Sequence, residues 1–182
     1  MQLCSAGQTQ NQDCPTGYGT VGLPDQITNI QTGLSTSNGT MHITFLPFDS
    51  SYGAIVAYAV IITTKMNGNH PPWGILSKIY SDFKSNLTDT YVTYILVQNV
   101  TRRSVRSNEL DVQVGDGSKI HSYVNGPLDP KLQYRVSIAG FTDIRYDPIT
   151  DTIKEEQSLV SFTNYTGFYL LNNDNDSNNY NS

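Results

Sequence analysis

Charge is scarce in this chain: Asp, Glu, Lys and Arg make up 15% of its 182 residues, and only 11 of them are basic. A nucleic-acid binder needs a basic face to release counterions from phosphates, so a net charge of −5 with the lysines and arginines spread widely argues against that partner class. Long apolar runs are missing too. Ala54 to Thr64 falls well short of the roughly 18 residues that cross a bilayer and reads instead as a buried strand. Cysteine is limited to Cys4 and Cys14, and His42, His70 and His121 are scattered, so neither a zinc set nor a catalytic thiol with a histidine neighbour is suggested. Nucleophile signatures such as Gly-x-Ser-x-Gly and the His-Glu-x-x-His metal helix do not occur. Gly115-Asp116-Gly117 lacks the Gly-Lys-Ser/Thr of a phosphate loop and reads as a turn. These absences predict no enzyme and no cofactor.

The polar remainder is Asn, Ser, Thr and Gln, accompanied by 12 Tyr, the composition of secreted and cell-surface β domains. The length suits one domain with a real core and flexible ends. Residues 1–24 lack periodicity and read as a linker or leader. MQLCSAGQTQ has no basic-then-apolar signal pattern, so Met1 reads as an added start on a fragment of a longer protein. An even cysteine count in such a chain suggests a Cys4 to Cys14 loop, with two free thiols as the other reading. Residues 25–170 are expected to form the single domain. Residues 171–182, with NNDNDSNNYNS, are too polar for a core and are expected to be disordered.

Within the domain, Ile27 to Leu34 reads as a strand. Asn38-Gly39 predicts a hairpin turn into the alternating Met41, Ile43 and Phe45. Ala54 to Thr64 suits a strand covered on both faces. After Pro71-Pro72, the spacing of Trp73, Ile75, Leu76, Ile79, Tyr80 and Phe83 predicts a helix over Trp73 to Ser85 with Trp73 anchored in the core. Tyr91 to Gln98 and Leu110 to Val114 read as a hairpin with 99–108 at its tip, and Ser158 to Thr163 as the last strand. The segment Val114 to Asp143 is the most telling. In Leu128-x-Pro130-x-x-x-Tyr134, Pro130 fixes its φ, Leu128 can plug a core, and Tyr134 can turn its hydroxyl back onto upstream backbone, as in the tyrosine corner of β-sandwiches. Tyr134, Val136 and Ile138 then alternate with Arg135 and Ser137. The expected fold is mainly β with one inserted helix: a fibronectin type III-like antiparallel sandwich whose expanded middle, residues 65–125, carries that helix. The alternative is a ferredoxin-like α+β fold of the SEA type.

The order of Gly-Asp-Gly, aromatic, the turn Asn125-Gly126-Pro127-Leu128 and the Pro130-x-x-x-Tyr134 strand resembles the membrane-proximal ectodomain of receptor-type protein tyrosine phosphatases. The likeness extends to Ala54 to Thr64 and Val97 to Leu110. It implies a parent with neighbouring fibronectin type III repeats, one transmembrane span and a cytoplasmic phosphatase acting on phosphotyrosine or phosphoinositides. The segment itself would lie on the extracellular side of the plasma membrane as a spacer and mechanical or adhesive element. Among family members, the one it resembles most is a phosphoinositide phosphatase of the hair-cell stereocilium, with a role in hearing. The catalytic His-Cys-x5-Arg cradle of that family is absent, since neither Cys4 nor Cys14 is followed by an Arg six positions on. A secreted carbohydrate-binding or hydrolytic β domain, with exposed Tyr and Trp73 as sugar platforms, is the alternative from another class.

Modification motifs fit an extracellular setting. Asn-x-Ser/Thr occurs at Asn38, Asn86, Asn99, Asn164 and Asn175, and the first three fall in predicted surface positions where a glycan is tolerated. Within TRRSVRS, Arg103-x-x-Arg106 fits the minimal furin-type pattern, with the scissile bond before Ser107, because acidic protease subsites pair with several arginines on an extended loop. Asp143, Asp147, Asp151, Glu155 and Glu156 do not follow the alternating ligand order of an EF-hand and read as a solvated acidic loop.

Overall fold

The computed structural model describes residues 31–35, 39–50, 53–98 and 109–170. In chain order the strands are β1 (Gln31–Ser35), β2 (Thr40–Phe45), β3 (Ala57–Thr63), β4 (Thr90–Val97), β5 (Leu110–Val114), β6 (Lys119–Ile120), β7 (Tyr123–Val124), β8 (Gln133–Asp143), β9 (Leu159–Phe162) and β10 (Tyr169–Leu170). One short helix, α1 (Tyr80–Lys84), and the 3-10 turns Ile75–Ser77 and Glu155–Gln157 complete the set.

Two antiparallel sheets result. One has the order β1-β2-β5. The other runs β4-β3-β8, with β10 paired to the start of β8 and β9 to its second half. This is the fibronectin type III-like sandwich, with β6 and β7 as a small separate hairpin. The alternation of side chains along β2, β3 and β8 builds it. Met41, Ile43, Tyr58, Val60, Ile62, Tyr134, Val136 and Ile138 meet between the sheets. The other face of β3, through Ala57, Ala59 and Ile61, is covered by Ile75, Leu76, Tyr123 and Ile153. Every residue of β3 is therefore buried, as its unbroken apolar run predicts.

The Asn38-Gly39 hairpin forms, with Ser35 opposite Thr40 and Gly39 at φ 66. Asn38 itself lies outside the described residues. Gly115 follows β5 at φ 90, and a Cβ there would run into the Gly39 carbonyl oxygen, so only glycine lets the two turns approach.

Two expectations fail. The helix predicted over Trp73 to Ser85 is broken: a 3-10 turn ends at Lys78, which is extended at ψ 127, before α1 begins at Tyr80. The cause is the edge of β4, whose Val92 amide donates to the Lys78 carbonyl oxygen at 2.9 Å and draws the backbone straight. The helical spacing of apolar residues is divided between two cores, Ile75 and Leu76 under the outer face and Tyr80 and Phe83 at the rim of the inner one. Trp73 is no anchor at 69% exposure. The expected hairpin between β4 and β5 also does not exist, because β4 pairs with β3 and β5 with β2. Residues 99–108, outside the described residues, therefore join one sheet to the other.

Candidate functional site

The corner is built from the residues upward. Pro130 is exposed, Leu128 is buried against the inner core, and β8 begins at Gln133. Tyr134, 1% exposed, sends its hydroxyl back to accept the Asp129 amide at 2.8 Å. Burial, partly offset by that bond, pushes its pKa up to about 12. Leu128 is tied in turn by its own amide to the Gly39 carbonyl at 2.8 Å, which pins the corner to the β1–β2 turn.

Sequence reasoning missed three neighbouring polar clamps. Fully buried Asn125 accepts from Thr93 Oγ1 at 2.9 Å and the Gly115 amide at 2.7 Å. It donates to Gln113 O at 2.7 Å and Asp116 Oδ1 at 2.8 Å, so its side-chain amide is fully used. Tyr123 donates to Leu76 O at 2.5 Å and accepts from the Ile153 amide at 2.7 Å, joining three loops beneath the outer cover. Glu155, expected in a solvated loop, is instead 5% exposed and accepts the Gly74 and Leu76 amides at 3.0 and 3.4 Å. Burial raises its pKa against the pull of those amides. No local pattern marks these residues, since each partner is distant in sequence.

The remaining acidic residues organise turns. Asp147 accepts from the Ile149 and Thr150 amides and pairs with Lys154 at 3.2 Å, and these contacts hold its pKa at about 2. Asp143 pairs with Arg145, and Asp151 lies 2.9 Å from His121. Among the described residues no group of three His, Cys, Asp or Glu could hold a metal. An open groove of about 410 Å³ lies between Asp82 and Lys154.

Asn86 sits exposed at φ 56 just past α1, and Asn164 is exposed after β9. Cys4, Cys14, Asn99, Arg103, Arg106, Ser107 and Asn175 lie outside the described residues. Among the described residues no helix is long and apolar enough to cross a membrane.

A sandwich locked by a tyrosine corner and covered on the outer face of its larger sheet defines a fibronectin type III-like class of β domain. The family described as TM proximal of protein tyrosine phosphatase, receptor type J, matches residues 43–169. The chain belongs to this family of membrane-proximal, non-catalytic segments of receptor-type tyrosine phosphatases. It is 38% identical over 173 residues to human receptor-type tyrosine-protein phosphatase eta, covering 93% of this chain and 13% of that protein. The chicken eta protein is 40% identical over 129 residues, 70% of this chain and 9% of the relative. The mouse protein is 36% identical over 165 residues, 88% of this chain and 13% of the relative. The chain thus spans about a tenth of the length of these relatives. The family-level resemblance read from Val114 to Asp143 holds, whereas the particular member read there, receptor-type tyrosine-protein phosphatase Q, is not among these relatives.

Proposed function

We propose that this chain is the membrane-proximal ectodomain segment of an eta-like receptor tyrosine phosphatase, working outside the cell as a spacer that transmits force, with a surface open to adhesion. The observation that carries it is the path of the chain. Gln31 pairs with Thr44, at the end of the sandwich where the Val56 amide donates to Phe141 O, whereas Leu170 pairs with Gln133 at the opposite end. Entry and exit at opposite ends are what a unit in a string of repeats requires, and residues 25–170 are the unit. The parent would add fibronectin type III repeats, a transmembrane span and a cytoplasmic phosphatase acting on phosphotyrosine. The phosphoinositide substrate and stereocilium setting rest on the motif likeness to phosphatase Q alone, and the eta relatives favour the other parent. The carbohydrate-platform alternative yields to the family, although Trp73 does stand exposed.

Glycans on Asn38, Asn86, Asn99, Asn164 and Asn175, a Cys4 to Cys14 bridge and furin-type cleavage between Arg106 and Ser107 belong to this reading. The exposure of Asn86 and Asn164 supports the first. To test the whole, the chain is secreted from animal cells behind a signal peptide. A glycosidase should then lower its apparent mass, peptide mapping without reductant should recover Cys4 linked to Cys14, and purified material should not hydrolyse a phosphotyrosine substrate. Unchanged mobility after the glycosidase, or turnover that survives repurification, overturns the assignment.

A further inference from the structure

We propose that the exit end of the sandwich rests on a zwitterionic phospholipid surface, an inference that builds on the membrane-proximal reading. Four consecutive strand positions of the larger sheet each place one exposed apolar side chain at this end. Leu87 precedes β4 and is 75% exposed, Met66 follows β3 at 69%, Leu132 precedes β8 at 37%, and Phe168 precedes β10 at 39%.

The register fixes them on a common edge. Thr63 is opposite both Thr90 and Arg135, so Leu87, Met66 and Leu132 each lie three residues beyond one level, while Phe168, just before the Tyr169–Tyr134 pair, stands at the level of Arg135. With strands about 4.8 Å apart, the row is roughly 15 Å wide. Arg135 fixes the Phe168 end, donating to Gly68 O at 2.8 Å while its guanidinium sits 5.3 Å from the Phe168 ring centroid. Around the row, Lys65, Lys84 and Lys131 are exposed beside Asp89 and Asp129. Apolar side chains ringed by lysines with flexible stems suit the headgroup boundary of a bilayer, where the ammonium groups reach phosphate and the apolar tips enter. The polypeptide also leaves the sandwich here, through β10. A glycan on Asn86 would stand between Leu87 and the bilayer, so docking belongs to chains whose Asn86 is bare.

The test uses the 182-residue chain made without glycans, with Cys4 and Cys14 replaced by Ser and a carboxyl-terminal histidine tag. It is held on phosphatidylcholine vesicles through a nickel-chelating lipid. An environment-sensitive fluorophore is placed at Leu87→Cys or, as control, at Ile149→Cys, a position 91% exposed on the covering loop. Docking gives a blue shift and enhanced emission at position 87, little change at 149, and loss of the shift in Met66→Glu/Leu132→Glu. No shift at 87, equal shifts at both positions, or a shift that survives the double substitution overturns the proposal. So does a concentration-dependent shift without vesicles, which would assign the row to contact between copies. Because the tag supplies the tether, failure here leaves the membrane-proximal assignment to its own secretion test.

Discussion

Tyr134 and Asn125 carry the fold at the scale of single residues, and both do it by satisfying buried backbone. Tyr134→Phe keeps the ring but leaves the Asp129 amide without its acceptor, a loss of roughly 1–2 kcal/mol that a urea midpoint should register. Asn125→Ala removes four hydrogen bonds at once in a buried site and is expected to cost about 3 kcal/mol or more by the same measurement. The buried tyrosines also set an alkaline limit. Tyr134 keeps its proton in the folded state up to about pH 12, and burial raises Tyr58, Tyr91 and Tyr123 as well. Between the unfolded value near 10 and these higher folded values the unfolded chain holds fewer protons than the native one. Stability is therefore intact below pH 10 and falls as pH rises beyond it. Tyrosinate absorbance should rise together with loss of the β-sheet circular dichroism signal; titration of all the tyrosines with the signal intact would refute the coupling.

At the scale of elements, α1 is held by one residue pair more than by its own five residues. Tyr80 lies against Gly126 so closely that a Cβ there would enter its ring, and its hydroxyl donates to Pro127 O at 3.0 Å. Gly126→Ala should therefore destabilise the wild-type background by about 1–3 kcal/mol, yet cost much less once Tyr80→Ala has vacated the space. Equal penalties in both backgrounds would show that the glycine serves its own backbone and not the docking of α1. The elements show where local reading succeeds. Period-two alternation found β2, β5 and β8, because each has one set of side chains committed to the inter-sheet core, and the unbroken apolar run found β3, because both its faces are covered. It mistook 73–85 for a continuous helix because the free edge of β4 competes for the Lys78 carbonyl, a partner the local pattern does not contain. β10, only two residues long, leaves no periodic signal at all.

At the scale of the whole molecule, the segment 99–108 changes its meaning once the sheets are known. A cut at Arg106 parts β1–β4 from β5–β10, and with β4 paired to β3 and β5 to β2 no ladder joins the two strands that flank it. The halves remain interlaced, since β5 pairs along the length of β2 and β8 along the length of β3. Each shared Val, Ile or Tyr side chain contributes roughly 1.5–3 kcal/mol on burial, which outweighs one lost covalent link. Treatment with a furin-like convertase should give two bands under denaturing conditions and one species natively, with Arg106→Ala uncut. Release of either half without denaturant would sink the idea of a non-covalent joint.

The sequence by itself determined the class of fold, the position of the tyrosine corner and the family, because these reside in residues close together in the chain: Leu128, Pro130, Tyr134 and the alternation that follows. It could not decide which strands share a sheet, that Trp73 faces solvent, that Glu155 is buried under Gly74 and Leu76, or that Asn125 closes a network reaching Thr93. Those outcomes depend on which distant backbone groups compete for the same hydrogen bonds and the same core volume, and that competition is resolved only when the two sheets and their outer cover have packed.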